Sequence, residues 1–258
     1  MNNIKEINVT DWYGRLGNQI TLLNHLIKFA LANKINLRFP ENKFLNKKLI
    51  HFHREKYNTN QTLTINSQDL WENKVANIKF HEEYSEEIIN KSRETLRDIF
   101  LINARGIQPL EEDNLVIHIR SGDVFEPHGN AIRNILYTPP PNFYYKELIE
   151  KIQPKKIYLI HEDNKNPSIN FILNNYPNSE SISNQSHQEN PLERDIKFIL
   201  SAQSLAESCG TFTHALCLIS QNVKNIYNPK RLNYKQYFKD VQKLSKQQAY
   251  QSIISYEK

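Results

Sequence analysis

Two short stretches constrain this chain more than anything else in it. The first is Gly14-Arg15-Leu16-Gly17-Asn18-Gln19, followed by Leu23, Leu26, Ile27, Ala30 and Leu31 at helical spacing. A short strand (residues 7–10) precedes it and a second (Ile35 to Phe39, stopped by Pro40) follows. Strand, glycine turn, helix, strand is a βαβ unit, the usual start of a doubly wound sheet. The turn leaves backbone N–H groups of the helix start directed at whatever lies above it. The second stretch is Val116-Ile117-His118-Ile119-Arg120-Ser121-Gly122-Asp123, an apolar strand running into an arginine, a glycine and an aspartate. Only six glycines occur in 258 residues, and Gly14, Gly17 and Gly122 fall inside these two stretches. The permissive backbone is reserved for them.

From Leu115 onward, apolar strands and helices alternate. The pattern gives helices over Phe143 to Ile152, Ser168 to Leu173, Leu192 to Ser204, Thr211 to Ile219 and Tyr237 to Ser255. Strands fall at residues 157–161, 205–208 and 225–227. Such alternation argues a second α/β lobe with a parallel sheet. Residues 41–110 are rich in Asn and Lys, with one clear helix from about Glu83 to Phe100, and are expected to finish the first lobe. The expected organisation is therefore α/β: a lobe over 1–110, a second over 111–235, and a closing helix over 236–258. Residues 121–141 form a long loop ending in three prolines, and loops of that length in compact domains are usually functional.

The chemistry-bearing positions lie where these elements meet. Asn18 sits in the first helical turn, as an amide donor or as an ordinary cap. Arg120 stands at the carboxyl end of a strand, where open α/β sheets bind ligands, and its fork suits a diphosphate. The alternative is a structural Arg120–Asp123 pair. His118 shares a face with Arg120 and reads as a supporting core histidine. Asp123 and Glu126, with His128 nearby, are the candidates for taking a proton from an attacking hydroxyl. The junction from Ser208 to Thr213, with Gly210, Thr211 and Phe212, is a second strand–glycine–helix turn able to hold a phosphate or simply a capped helix. There is no GxxxxGK[ST] loop, HExxH or GxSxG, and the acidic clusters lack Asp-x-Asp spacing, so no metal is expected.

Gly14 to Gln19 and His118 to Asp123 resemble two signature stretches of the fucosyltransferase superfamily, which includes bacterial α-1,2-fucosyltransferases and protein O-fucosyltransferases. Asp195-Ile196-Lys197-Phe198 followed by Ser208 to Phe212 is similar to a third. The resemblance implies a glycosyltransferase-B fold, two facing Rossmann-like lobes with the site in the cleft, and inverting, metal-independent transfer from GDP-fucose. Donor contacts would come from Gly14, Arg15, Gly17, Asn18, His118, Arg120, Gly122, Gly210, Thr211 and Phe212. Arg120 would hold the β-phosphate of the leaving GDP, with Asn18 near the reacting carbon and Asp123 or Glu126 as candidate base. Many bacterial members carry a second arginine where this chain has Ser121. Other nucleotide sugars, or a non-catalytic nucleotide- or glycan-binding module, are the competing readings.

Composition narrows the partners. The net charge is +5, but no Lys/Arg block or aromatic ladder of a nucleic-acid binder occurs. Cys209 and Cys217 are too few for a disulfide framework or a zinc site. No secretion signal or stretch of ~20 apolar residues is present, so a cytoplasmic enzyme is expected. The resemblance implies as acceptor a glycan of bacterial surface polysaccharide, such as O-antigen or capsule, which a lipid diphosphate could carry. The cations Lys230, Arg231, Lys235, Lys239, Lys243 and Lys246 could meet an anionic inner membrane face, or be an ordinary solvated helix face.

Overall fold

The computed structural model describes residues 4–52, 61–72, 74–75, 78, 83–126, 137–182, 190–229 and 234–256. By its internal contacts the chain divides into two units. The first holds Met1–Gly106 with Ala215–Ile219, the second Ile107–His214 with Ser220–Lys258.

The first unit is built on the expected βαβ start. β1 (Glu6–Val9) leads through the glycine turn into α1 (Leu16–Asn33) and returns as β2 (Asn36–Arg38), parallel to β1. Helix α1 ends because Lys34 turns left-handed at φ 54°, its N–H closing on the carbonyls of Ala30 and Leu31. β3 (Leu49–Ile50) adds antiparallel to β2, and β4 (Thr62–Ile65) adds parallel to β1 on its other side, giving the order β3-β2-β1-β4. Ile7, Val9, Ile20, Leu23, Ile27 and Leu37 are buried at 3% exposure or less, so α1 packs its apolar stripe on the sheet. After the short α2 (Ser67–Trp71) comes α3 (Glu86–Ile99). It starts at Ser85, whose hydroxyl accepts the Ile88 N–H, with Glu86 and Glu87 in its first turn. Asn24 of α1 accepts a buried hydrogen bond from Ser92 of α3.

The second unit carries five parallel strands. They are β5 (Asn114–Ile119), β6 (Lys156–His161), β7 (Ser179–Ser181), β8 (Ser204–Ala206) and β9 (Asn225–Tyr227), in the order β7-β6-β5-β8-β9. Central β5 is buried along its whole length, as a strand covered on both faces must be. One face receives Leu115, Ile117 and Ile119 together with α4 (Asn142–Ile152) and α5 (Pro167–Asn175). The same cluster holds Tyr144, Tyr145, Tyr234, Tyr237 and Phe238. On the other side of the pleat lies His118, beside Phe212 of α7 (Phe212–Ile219), while Phe198 of α6 (Pro191–Ser201) packs on Tyr158.

Two helix expectations are corrected. The helix that was to reach Ser204 stops at Ser201, because Ala202 turns extended and Ser204 already belongs to β8. The single closing helix over Tyr237 to Ser255 is two: α8 (Lys235–Val241) and α9 (Lys246–Ser255). A capping box, Ser245 with Gln248, starts the second afresh.

Candidate functional site

In the second unit the chain runs outward from β5 to β6 and β7, then returns to β8 on the opposite side of β5. The order of strands therefore reverses between β5 and β8. Such a reversal, at the carboxyl ends of two neighbouring strands, is where open parallel sheets generally bind their ligands. The loop after β5 contains Arg120, Ser121 and a tight turn over Gly122–Phe125. The loop after β8 contains Ser208, Cys209, Gly210 and Thr211 before α7. Gly210 holds φ +83°, which favours glycine, and among the described residues, its chain neighbours aside, nothing lies within 4 Å of the position a Cβ would take. The two loops that the sequence singled out thus stand side by side.

They are joined below the surface. The Thr213 hydroxyl is 2.7 Å from Nδ1 of His118, and the Phe212 ring lies 5.5 Å from the imidazole. Burial, reinforced by the positive field of Arg120 and His161, pushes the His118 pKa down to about 3. The ring is neutral at working pH, so one nitrogen donates and the other accepts.

Arg120 is mostly buried, its side chain 14% exposed. Its Nη2 donates to Oδ1 of Asp123 at 2.6 Å, and its Nε is buried without a partner among the described residues. The Arg–Asp pair is thus present, but it occupies only part of the fork. A buried N–H left unmade costs about 1–3 kcal/mol. A guanidinium that meets one carboxylate keeps charge and donors for an anionic ligand.

Arg120 rests on a frame that no local sequence pattern announces. Asp163, just past β6, accepts from the Ser121 hydroxyl, from the N–H of Gly122 at 3.2 Å and from the N–H of Lys165 at 3.0 Å. Asn166 donates its backbone N–H to Ser121 Oγ at 3.2 Å and its side-chain amide to the Arg120 carbonyl at 2.8 Å. Burial works to raise the Asp163 pKa, but the hydrogen bonds from Ser121, Lys165 and Gly122 outweigh it and hold the carboxyl below its ordinary value. Lys165 also pairs with Glu126 at 2.6 Å. Both candidate bases are therefore engaged, Asp123 by Arg120 and Glu126 by Lys165. His128 lies outside the described residues. Asp163 stands at the carboxyl end of a strand already legible in the sequence, and that position was the signal that could have found it.

Gly14, Arg15, Gly17 and Asn18 lie in the first unit, in the equivalent loop. Here too the order reverses, between β1 and β4. Asp11 after β1 accepts the N–H of Ser67 after β4 at 2.8 Å. Gly14 has φ +73°, and a Cβ on it would lie 3.1 Å from Cγ of Asn18 and overlap its amide nitrogen. Gln19 holds the turn, donating to the Gly14 carbonyl at 2.8 Å and accepting from Asn42 at 2.7 Å. Exposed Arg15 occupies the N-cap of α1 without a side-chain cap bond, so a cation stands where Ser or Asp usually closes a helix. Gly17 is buried within the first turn.

Cys209 and Cys217 form no disulfide. Among the described residues no group of three or more His, Cys, Asp or Glu is arranged to hold a metal ion, and no helix is long and apolar enough to cross a membrane. Of the late cations, Lys243 pairs with Asp240 and Lys246 donates to the Glu126 carbonyl, while Lys230 and Arg231 lie outside the described residues.

No family model matches the chain, and no curated protein does. Solved structures do. The chain is similar to POFUT1 in complex with GDP, at 11% identity and TM-score 0.44, covering 88% of this chain and 98% of that one. It is similar to the E. coli heptosyltransferase WaaC with ADP-2-deoxy-2-fluoro heptose, at 11% identity and TM-score 0.45, covering 91% and 99%. It is also similar to the NodZ α-1,6-fucosyltransferase soaked with GDP-fucose, at 9% identity and TM-score 0.40, covering 84% and 93%. At these identities and scores no residue role passes from those proteins to this chain.

Proposed function

We propose that the chain is a glycosyltransferase whose second unit holds a nucleotide-sugar donor, with GDP-fucose as the donor. The observation that carries this is Arg120: a mostly buried guanidinium at the strand-order reversal whose Nε has no partner, and whose paired carboxylate is Asp123, among the described residues. In this reading the leaving diphosphate takes the donors that Asp123 leaves open. The N–H groups around Gly210, Thr211 and Phe212 meet the phosphates from the neighbouring loop. As the sugar's C1–O bond breaks, C1 gains oxocarbenium character and negative charge gathers on the departing phosphate. A cationic fork fixed beforehand stabilises that separation without the protein reorganising. Arg120 thereby supplies the positive charge at the departing phosphate. The resemblance implies a further donor contact from Asn18 in the Gly14–Gln19 turn of the first unit. A glycan hydroxyl attacks the opposite face of C1, so the configuration inverts, and Asp123 or Glu126 takes the proton. The acceptor is a surface-polysaccharide glycan on a lipid diphosphate, used at the cytoplasmic membrane face.

One observation favours a sibling reading with another nucleotide sugar. Ser121, where the resembling family often has a second arginine, is 1% exposed and bonded to Asp163 and Asn166, so this position supplies no charge to a donor. Calorimetry with GDP, ADP and UDP, followed by transfer or hydrolysis with GDP-fucose, GDP-mannose and UDP-sugars, tests the choice. A preference for GDP and turnover of GDP-fucose is the expected result. A clear preference for a UDP-sugar sinks the fucosyl assignment, and GDP binding without turnover on a glycan panel leaves a binding module.

A further inference from the structure

The first unit carries a basic hollow, one of whose lining residues, Asn42, also donates to Gln19 of the glycine turn at 2.7 Å. The segment after β2 folds into it, and its volume is about 410 Å3. Lys43, Lys47 and Lys48 line it together with Glu41, Leu45 and Leu101. Among the described residues its one carboxylate, Glu41, pairs with Lys48 at 3.1 Å, so Lys43 and Lys47 carry its charge. The Lys43 ammonium sits 5.0 Å over the ring of Phe44. Leu101 is 54% exposed, the most exposed large hydrophobic residue among those described.

This exposure is not the slackness of a loose loop. The Leu101 N–H is bonded to the Phe44 carbonyl at 2.8 Å, and the Asn46 N–H to the Ile99 carbonyl at 2.8 Å. Leu45 bridges to Phe100, and the rings of Phe44 and Phe100 stack beneath at 6.3 Å. An exposed leucine is thus held on a braced support, in a hollow that three lysines share. All three lysines are exposed. A small anion wants convergent, buried donors. Exposed ammonium groups on long stems, sharing a hollow with an exposed leucine, instead suit an extended charged surface with an apolar layer under it.

We infer that this face of the first unit docks on an anionic lipid bilayer, Leu101 entering the interface and Lys43 and Lys47 meeting the headgroups. It does so independently of which nucleotide sugar the second unit takes. The test is sedimentation of the full chain with phosphatidylcholine vesicles, with and without phosphatidylglycerol. Binding is expected only with the anionic lipid, weakening as salt is raised. Each lysine near such a surface contributes about fivefold, so Lys43→Glu with Lys47→Glu should lower vesicle affinity by roughly 25-fold or more. Leu101→Ser should lower it several-fold, and Lys239→Glu on α8 should leave it unchanged. Melting temperatures of all variants should match the parent, since every changed side chain is exposed. Equal partition onto both vesicle types overturns the inference. So does a Lys239→Glu loss as large as the double variant's, or displacement by inorganic phosphate at constant ionic strength, which marks a small-anion site.

Discussion

Arg120 and Asp123 hold each other across the turn that leaves β5, Nη2 to Oδ1 at 2.6 Å, with the arginine mostly buried and the aspartate half exposed. This asymmetry separates the arginine's effect on folding from its effect on catalysis. Arg120→Ala leaves a carboxylate that water can reach, so the stability cost is small, about 1 kcal/mol or a few degrees of melting temperature. Catalysis should fall by two or more orders of magnitude, the ~3–4 kcal/mol of lost leaving-group stabilisation. Arg120→Lys should restore only part, because an ammonium cannot make two parallel hydrogen bonds. A variant that melts early but turns over normally would return Arg120 to a structural role.

Asp123→Asn distinguishes a counter-ion from a base. As a counter-ion it competes with the donor for the guanidinium, so the amide should tighten GDP binding and change kcat by less than about tenfold. A general base would instead show a fall of about 10²–10⁴-fold. Calorimetry and steady-state rates on the same preparation decide between them.

The buried His118 sets a pH dependence of stability. Its folded pKa, about 3, lies below the ordinary histidine value, so the unfolded chain binds more protons between those limits. The stability it confers is complete above about pH 6.5 and is lost as pH falls toward 3, at about 1.4 kcal/mol per pH unit. His161 is shifted down by burial as well and adds in the same sense. Melting curves from pH 8 to 4 should fall below 6.5, and His118→Gln should flatten that fall. Identical profiles for parent and variant would remove His118 as the source.

Ser121 and Asp163 brace the loop that presents Arg120. Ser121→Ala should cost about 1–3 kcal/mol in urea unfolding, since Asp163 loses a donor at a partly buried position. Ser121→Arg should cost at least as much: no space exists at a residue 1% exposed. An unchanged unfolding midpoint in Ser121→Arg would show that this pocket opens readily.

Gly14 and Gly210 both hold positive φ, so alanine should cost each about 1–2 kcal/mol of stability. Only at Gly14 would the new methyl collide with a neighbour, the Asn18 amide. Gly14→Ala should therefore lower kcat/KM beyond its stability cost, and by more than Gly210→Ala does, at a temperature where both are folded. Equal activity in the two variants would detach Asn18 from the reaction.

How much of this could be read beforehand follows from the range of the interactions involved. β5 was plain because four near-apolar residues in a row, Val116 to Ile119, mark a strand buried on both faces. Gly14, Gly122 and Gly210 mark turns because the reason for a glycine is local. β7, Ser179-Glu180-Ser181, was invisible, since an edge strand of polar residues has no pattern and exists only because β6 offers it hydrogen bonds. β4, Thr62 to Ile65, did alternate, but in a polar stretch where four residues decide little. The break before α9 was legible in Ser245 and Gln248, and the apolar period on either side hid it. Asp163 escaped because its partners, Ser121 and Gly122, lie some forty residues earlier in the chain. Local pattern says nothing about which loop meets which.

The placing of β5 between β6 and β8 also bears on how the chain is made. Leu115 and Ser204 are sheet neighbours although about a third of the chain separates them. During synthesis β5 and β6 can pair while one edge of β5 still waits for residues the ribosome has yet to add. That waiting edge is Leu115-Val116-Ile117, a ready template for another nascent chain. Yield in a foreign host should accordingly depend on elongation speed and temperature between residues 120 and 206 more than on the stability of the finished protein.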